Sequence, residues 1–219
     1  MTGSPRIVEV RKNILKRNDE AARALRQRFQ EAGVFVVSLV SSPGSGKTAF
    51  LEKTLTLLRE AGRRPAAVVG DLATQNDAVR LARSRTPVKQ IETGTLCHLE
   101  AAMVESAIAE WDLTALDYLF IENVGNLVCP ASYDLGENLR VVLLSTTEGE
   151  DKPLKYPTIF NTADLAIVTK IDLADAVEFN RELACANIHS IRSGLTVLET
   201  SSKTGAGLRE WLALLESRR

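Results

Sequence analysis

The chain has 219 residues, 45% of them apolar, enough to bury the core of one large α/β domain. Its 27 Lys and Arg against 28 Asp and Glu leave a net charge of −1, so no overall field favours nucleic acid or an anionic membrane, and any affinity for phosphate must be local. No run approaches membrane-spanning length, the amino-terminal stretch lacks a signal-peptide pattern, and three cysteines without framework spacing argue against disulfide stapling; a cytoplasmic protein is expected.

In chain order, Ile7, Val10, Ile14, Ala21, Leu25 and Phe29 recur at helical spacing between Pro5, a good first helical residue, and the Ala32-Gly33 stop. They predict an amphipathic helix over about residues 5–31, whose apolar stripe serves either core packing or a partner-docking arm. Val34 to Val40 reads as a strand and Thr48 to Glu60 as a helix. Ala66 to Val69 reads as a strand, Ala73 to Arg83 as a helix and Val88 to Glu92 as extended. Cys97 to Glu110 reads as a helix and Tyr118 to Glu122 as a buried strand. Strands at Val141–Ser145, Leu165–Thr169 and Thr196–Thr200 follow, with helices near Ala174–Ile191 and Leu208–Ser217. This alternation predicts an α/β, three-layer fold: a mostly parallel sheet with helices on both faces, and active groups at the carboxyl ends of the strands. No repeat or long linker interrupts it, and residues 1–219 are expected to form a single domain.

Between the first strand and its helix stands Ser41-Ser42-Pro43-Gly44-Ser45-Gly46-Lys47-Thr48, a phosphate-binding loop. Gly44, Ser45 and Gly46 let backbone N–H groups close around phosphates, Lys47 can reach the β and γ oxygens, and the Thr48 hydroxyl can ligate Mg²⁺. Ser41 holds the place where the usual pattern begins with glycine. The nucleotide is read further on. Thr169-Lys170-Ile171-Asp172 stands where GTPases carry Asn-Lys-x-Asp: the Asp172 carboxylate can accept from guanine N1–H and the exocyclic amine, and the Lys170 stem can cover the base. Glu199-Thr200-Ser201-Ser202-Lys203 is similar to a second guanine-recognition loop, with the Ser202 N–H directed at the guanine O6. GTP and GDP are the expected ligands.

Strand Tyr118–Ile121 runs into Glu122-Asn123-Val124-Gly125, in place of the common Asp-x-x-Gly. Glu122 is expected near Mg²⁺ and the Gly125 N–H near the γ-phosphate, while Asp71 is a second carboxylate that can orient either the attacking water or the water shell of the metal. Asn126 replaces a water-positioning Gln and no arginine is evident in cis, so slow intrinsic turnover is expected. Cys97, His98 and Cys129 offer soft donors suited to Ni²⁺ or Zn²⁺. Cys129 lies four residues beyond Gly125, so the γ-phosphate can act on the metal ligands through that segment. Cys185 and His189, at i and i+4 of a helix, are a competing pair that reads better as a packed cysteine and a surface histidine.

Thr93-Gly-Thr-Leu-Cys-His-Leu-Glu-Ala101, Glu122-Asn-Val-Gly-Asn-Leu-Val-Cys-Pro130 and Asp134-Leu-Gly-Glu-Asn138, together with the phosphate loop, resemble the hydrogenase nickel-incorporation GTPases of the HypB family over about residues 5–215. Glu100 departs from the Asp expected there. The resemblance implies a GTP-hydrolysing nickel metallochaperone of the P-loop class, acting in [NiFe]-hydrogenase maturation. It further implies a GTP-dependent homodimer with the metal at the interface, a zinc-containing nickel chaperone (HypA-like) that feeds it, and the hydrogenase large-subunit precursor as acceptor. Some relatives carry a Cys-rich amino-terminal motif or a His-rich stretch. Here the first cysteine is Cys97, which favours a transfer site over nickel storage. A urease-accessory GTPase is the nearest alternative, although that family usually spells its ligands Cys-Pro-His. A small-molecule kinase would carry an arginine-rich lid and no guanine strings, and a non-catalytic metal-binding module would keep its properties after Lys47→Ala.

Overall fold

The structure, a computed structural model, describes residues 6–71 and 76–219, with side chains from Lys12 onward. Seven strands form one sheet: β1 (Phe35–Ser41), β2 (Pro65–Asp71), β3 (Val88–Glu92), β4 (Tyr118–Glu122), β5 (Leu139–Ser145), β6 (Leu165–Thr169) and β7 (Val197–Glu199). Their order is β3-β2-β4-β1-β5-β6-β7, and every pairing is parallel, so the sheet is more uniform than the mostly parallel one expected. Parallel strands need covered crossovers, and α2 (Lys47–Glu60), α3 (Asn76–Ala82), α4 (Ala101–Ala107), α5 (Lys152–Lys155), α6 (Pro157–Thr162) and α7 (Arg181–Ile191) lie in them, while α1 (Arg6–Ala32) precedes β1 and α8 (Leu208–Arg218) follows β7.

The inner strands are largely apolar on both sides because both faces are covered, whereas the edge strands β3 and β7 are only partly buried. Val37 and Leu39 of β1 point, with Tyr118 and Phe120 of β4 and Leu139, Val141 and Leu143 of β5, toward α2 and α8, where Phe50, Leu55 and Trp211 complete that layer. The alternate residues face the other way. Val36, Val68, Leu119 and Ile121 meet α1 and α4 through Leu25, Phe29 and Val104, and Val142, Leu144, Ala166 and Val168 meet α6 and α7 through Phe160 and Ile188. This two-residue alternation gives a three-layer sandwich. The buried Trp211 satisfies its indole N–H on the Thr54 hydroxyl at 3.0 Å, and that hydroxyl donates to the Phe50 carbonyl at 2.9 Å.

β1 is central, and the chain leaves it first toward β2 and later, from β4, toward β5. The carboxyl end of β1 is therefore the switch point at which a doubly wound sheet opens a crevice. No described helix is long and apolar enough to cross a membrane.

Several elements differ from the periodicity. The helix expected over Cys97–Glu110 is confined to Ala101–Ala107. Cys97 and His98 precede it because a turn from Thr93 to Leu96, with Gly94 at φ +60°, and a bond from the Leu99 N–H to the Asn123 side chain hold that stretch out of helix. The helix near Ala174–Ile191 starts only at Arg181, where the Asn180 side chain accepts from the Leu183 N–H. α5 and α6, each with proline in the first turn, were not expected from the sequence pattern. Of the helix expected from Ala73, residues 73–75 lie outside the described residues, as do Pro5 and the side chains of Ile7 and Val10. Of the remaining stripe, Leu25 and Phe29 are buried, with Ala22 beside them, whereas Ile14 is exposed. The carboxyl half of α1 is thus packing, and its stripe does not stay buried along its length.

Candidate functional site

The loop between β1 and α2 is braced from within. Ser41 is fully buried; its hydroxyl accepts from Ser45 Oγ at 2.6 Å and donates to the Ser42 carbonyl at 2.9 Å, which gives the residue in the first-glycine position a structural task. Gly44 and Gly46 take φ values of +76° and +89°, the left-handed region that favours glycine. Two loop carbonyls are held from β6 and the residue after it: the Thr169 hydroxyl donates to Ser45 O at 2.6 Å and Lys170 Nζ to Gly44 O at 2.7 Å. Thr169 therefore ties the loop down, although asparagine was the residue expected there. The first N–H groups of α2 have no partner within the helix, which makes Lys47, Thr48 and Ala49 an anion-binding helix start.

Around this loop lies a cleft lined by Lys47, Thr48, Asp71, Asp77, Arg80 and Gly125. Glu122, at the end of β4, is 1% exposed. Its Oε1 accepts from Thr48 Oγ1 at 2.6 Å and lies 3.4 Å from Lys47 Nζ, while Oε2 finds no hydrogen-bond partner among the described residues. Burial pushes the Glu122 carboxyl up, against the opposing pull of the Lys47 ammonium and the Thr48 hydroxyl. Gly125 abuts the loop: a Cβ there would lie 2.9 Å from Pro43 Cα, so only glycine permits this approach. Asp77 and Arg80, on one face of α3, were missed by sequence reasoning; Arg80 pairs with Glu52 at 2.8 Å. Their spacing of three on a helix after a strand was the available signal.

A neighbouring cleft of about 440 Å³ is lined by Gly46, Lys170, Asp172, Leu173, Ser202 and Lys203. Asp172 is exposed, and its Oδ1 accepts from Ser201 Oγ at 2.5 Å. Ser201 is buried and also receives the N–H groups of Lys203 and Thr204 at 3.2 and 3.1 Å, so it orients Asp172 and shapes the loop rather than lining the cleft. The two strings are joined by the Ile171 N–H on the Thr200 carbonyl at 3.1 Å. Two carboxylate acceptor positions beside a lysine stem suit a base that offers adjacent N–H donors.

Beyond Gly125, the fold brings Cys97, His98 and Cys129 together, with their ligand atoms all within 4.8 Å of one another. The sulfurs are 2.8 Å apart, and Cys97 Sγ is 3.9 Å from His98 Nδ1. Among the described residues, no other group of three or more such side chains is placed to hold a metal ion. The His98 ring packs against Tyr133 at 3.9 Å between centroids, and its Nε2 lies 3.6 Å from Glu100 Oε1. Burial lowers the His98 pKa while Glu100 opposes it, which favours the neutral imidazole that ligates metals. Three soft donors leave a tetrahedral ion one position open. Cys185 and His189 do not join this group. His189 Nε2 donates to the Leu195 carbonyl at 3.0 Å, and burial pushes the Cys185 thiol up.

The clefts and the cysteine cluster are connected. Asn126 Nδ2 donates to the Cys97 carbonyl at 3.2 Å, and Asn123 Oδ1 accepts from the Leu99 and Val124 N–H groups at 3.0 and 2.9 Å. The segment after β4 is thereby bonded to the ligand-bearing segment after β3.

A family model described as "CobW/HypB/UreG, nucleotide-binding domain" matches residues 35–199. The hydrogenase maturation factor HypB of Azotobacter vinelandii is 47% identical over 215 residues, covering 98% of this chain and 70% of that protein. The crystal structure of HypB from Helicobacter pylori in complex with nickel superposes with a TM-score of 0.86 at 40% identity, covering 93% of this chain and 95% of that one. The hydrogenase maturation factor HypB from Archaeoglobus fulgidus does so with a TM-score of 0.85 at 37% identity, covering 92% and 98%.

Proposed function

The chain belongs to the CobW/HypB/UreG family, with the HypB hydrogenase maturation factors among its relatives, and on that premise we propose that it is a GTP-hydrolysing nickel metallochaperone for [NiFe]-hydrogenase maturation. The observation that carries this reading is the connection from the phosphate loop, by the packing of Pro43 on Gly125 and then the Asn126 hydrogen bond, to the Cys97–His98–Cys129 cluster. Residues 1–219 act as a single P-loop GTPase domain in the cytoplasm.

GTP is held with its phosphates at Gly44 to Thr48 and its base between Lys170 and Asp172, closed by Ser202 and Lys203. Lys47 balances the β and γ charge. Glu122 Oε2, without a hydrogen-bond partner among the described residues, and the Thr48 hydroxyl fit the oxygen-donor set of Mg²⁺, with Asp71 on the same cleft. Mg²⁺ supplies neutralisation of phosphate charge there. Glu122 orients Thr48 and Lys47, and the Gly125 N–H marks the place where loss of the γ-phosphate is felt. Without a glutamine to position water, turnover is slow.

Nickel, or zinc in its place, is the cargo of Cys97, His98 and Cys129. The open position of a three-donor set supports transfer, and in a GTP-dependent homodimer two such sets meet. A HypA-like zinc-containing chaperone and the hydrogenase large-subunit precursor are the donor and acceptor partners of that cargo. The contiguous Cys97-His98 and the hydrogenase maturation name of the Azotobacter vinelandii relative disfavour the urease-accessory alternative.

The test is metal titration of the wild type and Cys129→Ala, each with GDP and with a non-hydrolysable GTP analogue, while oligomeric state is monitored. Metal affinity that changes with nucleotide in the wild type and is lost in Cys129→Ala supports the reading. Identical binding in all four samples rejects it.

A further inference from the structure

Asn18 of α1 is 6% exposed and reaches two distant segments at once. Its Oδ1 accepts from the Ala101 N–H at 2.9 Å, and its Nδ2 donates to the Asp134 carbonyl at 2.8 Å. Ala101 lies three residues after His98, and Asp134 directly follows Tyr133, whose ring packs against His98. One amide therefore spans the two stretches that carry the cysteine and histidine donors.

The same helix fixes the second stretch again. Arg26 Nη2 reaches both Asp134 carboxylate oxygens, at 2.7 and 2.9 Å, and a Cβ on Gly136 would lie 3.0 Å from the Ala22 carbonyl. The turn that follows Cys129 is thus seated on α1. A buried amide using both ends is an exacting device, because loss of either partner leaves a polar group unsatisfied.

We propose that Asn18 is a positioning residue for the Cys97–His98–Cys129 metal site: it sets the distance between the ligand-bearing segments, so that α1 governs how tightly the ion is held. This rests on the metal-site reading above. The amide bonds of Asn18 go to the backbone of the ligand-bearing stretches and not to the nucleotide cleft, so its effect falls on the metal and not on GTP.

The test uses the full chain with Ni²⁺ alone, titrated against a chromophoric chelator, and follows the thiolate-to-nickel charge-transfer absorption. Asn18→Leu, similar in size and without polar ends, is expected to weaken Ni²⁺ binding about tenfold and alter that absorption, with GTP affinity within about twofold of wild type. Asn18→Asp, which keeps the acceptor and loses the donor, is expected to fall between. Ala101→Pro attacks the bond from the other end: it removes the N–H at the first position of α4, where proline is tolerated, after a Glu100 already extended at φ −111° and ψ 154°. The same weakening is expected from it. Unchanged Ni²⁺ affinity and absorption in these variants, or a parallel loss of GTP affinity, would overturn the proposal. Cys97→Ser separates the two readings. If it binds Ni²⁺ as the wild type does, the metal-site reading fails and the positioning role with it; if it loses Ni²⁺ while the Asn18 variants keep it, only the positioning role fails.

Discussion

The side-chain amide of Asn126 donates to the Cys97 carbonyl at 3.2 Å, one residue after a glycine that lies against Pro43 of the phosphate loop. The residue in the place of a water-positioning glutamine thus bonds toward the cysteine cluster. Its Oδ1 also accepts from the Val128 N–H at 2.9 Å, so one side chain holds the approach to both cysteines.

Asn126→Ala is expected to uncouple the two sites. Coupling between ligands is typically about 1–3 kcal/mol, and the variant should lose most of the difference in Ni²⁺ affinity between its GDP and GTP-analogue forms. Paired metal titrations check this; an undiminished difference would show that the connection runs elsewhere.

Glu122→Gln keeps the shape of the side chain and removes the charge beside Lys47 and Thr48. GTP hydrolysis is expected to fall on the order of 10²-fold, with a much smaller change in GDP binding. Single-turnover hydrolysis and nucleotide titration separate the two effects.

Asp172→Ala removes the carboxylate that Ser201 orients. Hydrogen bonds to a charged group contribute about 1.5–3 kcal/mol each, so GTP affinity should drop at least tenfold while ATP binding stays weak. Competition between the two nucleotides provides the measurement. Equal GTP affinity in the variant would move base recognition away from this cleft.

Asp117 accepts from the Arg64 backbone and guanidinium and pairs with Arg219 at 2.7 Å; the bonds from Arg64, opposed by burial, hold its carboxyl well below the usual range. A depressed carboxylate pKa stabilises the fold above the unfolded value of about 3.9, and the contribution declines as pH falls below that value. The urea midpoint of Asp117→Asn should therefore lie below that of wild type at pH 7, and the gap should narrow as pH falls below about 4.

The phosphate loop and the strand–helix alternation were legible because their tasks fall on neighbouring residues: a glycine for a left-handed turn, a lysine beside it, apolar residues at the period of the element. The short α4 was not, because its start depends on Asn18, 83 residues away, and on the Asn123 side chain. Cys97, His98 and Cys129 were legible as one donor set, and they do meet, but how the fold brings them together was not evident. They follow β3 and β4, strands separated by β2 in the sheet, and only the loops at the carboxyl ends of those strands bring them within reach of one ion.

By itself, then, the sequence determined the strands, most of the helices and which chemical groups the chain carries, because propensity, periodicity and local turn chemistry act over a few residues. Only the tertiary structure decided that Asn126 joins the segment after β4 to the cysteine cluster, that Ser201 serves Asp172, and that α1 clasps the stretches around Cys97, His98 and Cys129. Those bonds link residues far apart in the chain, and their geometry is set by the packing of the whole sheet.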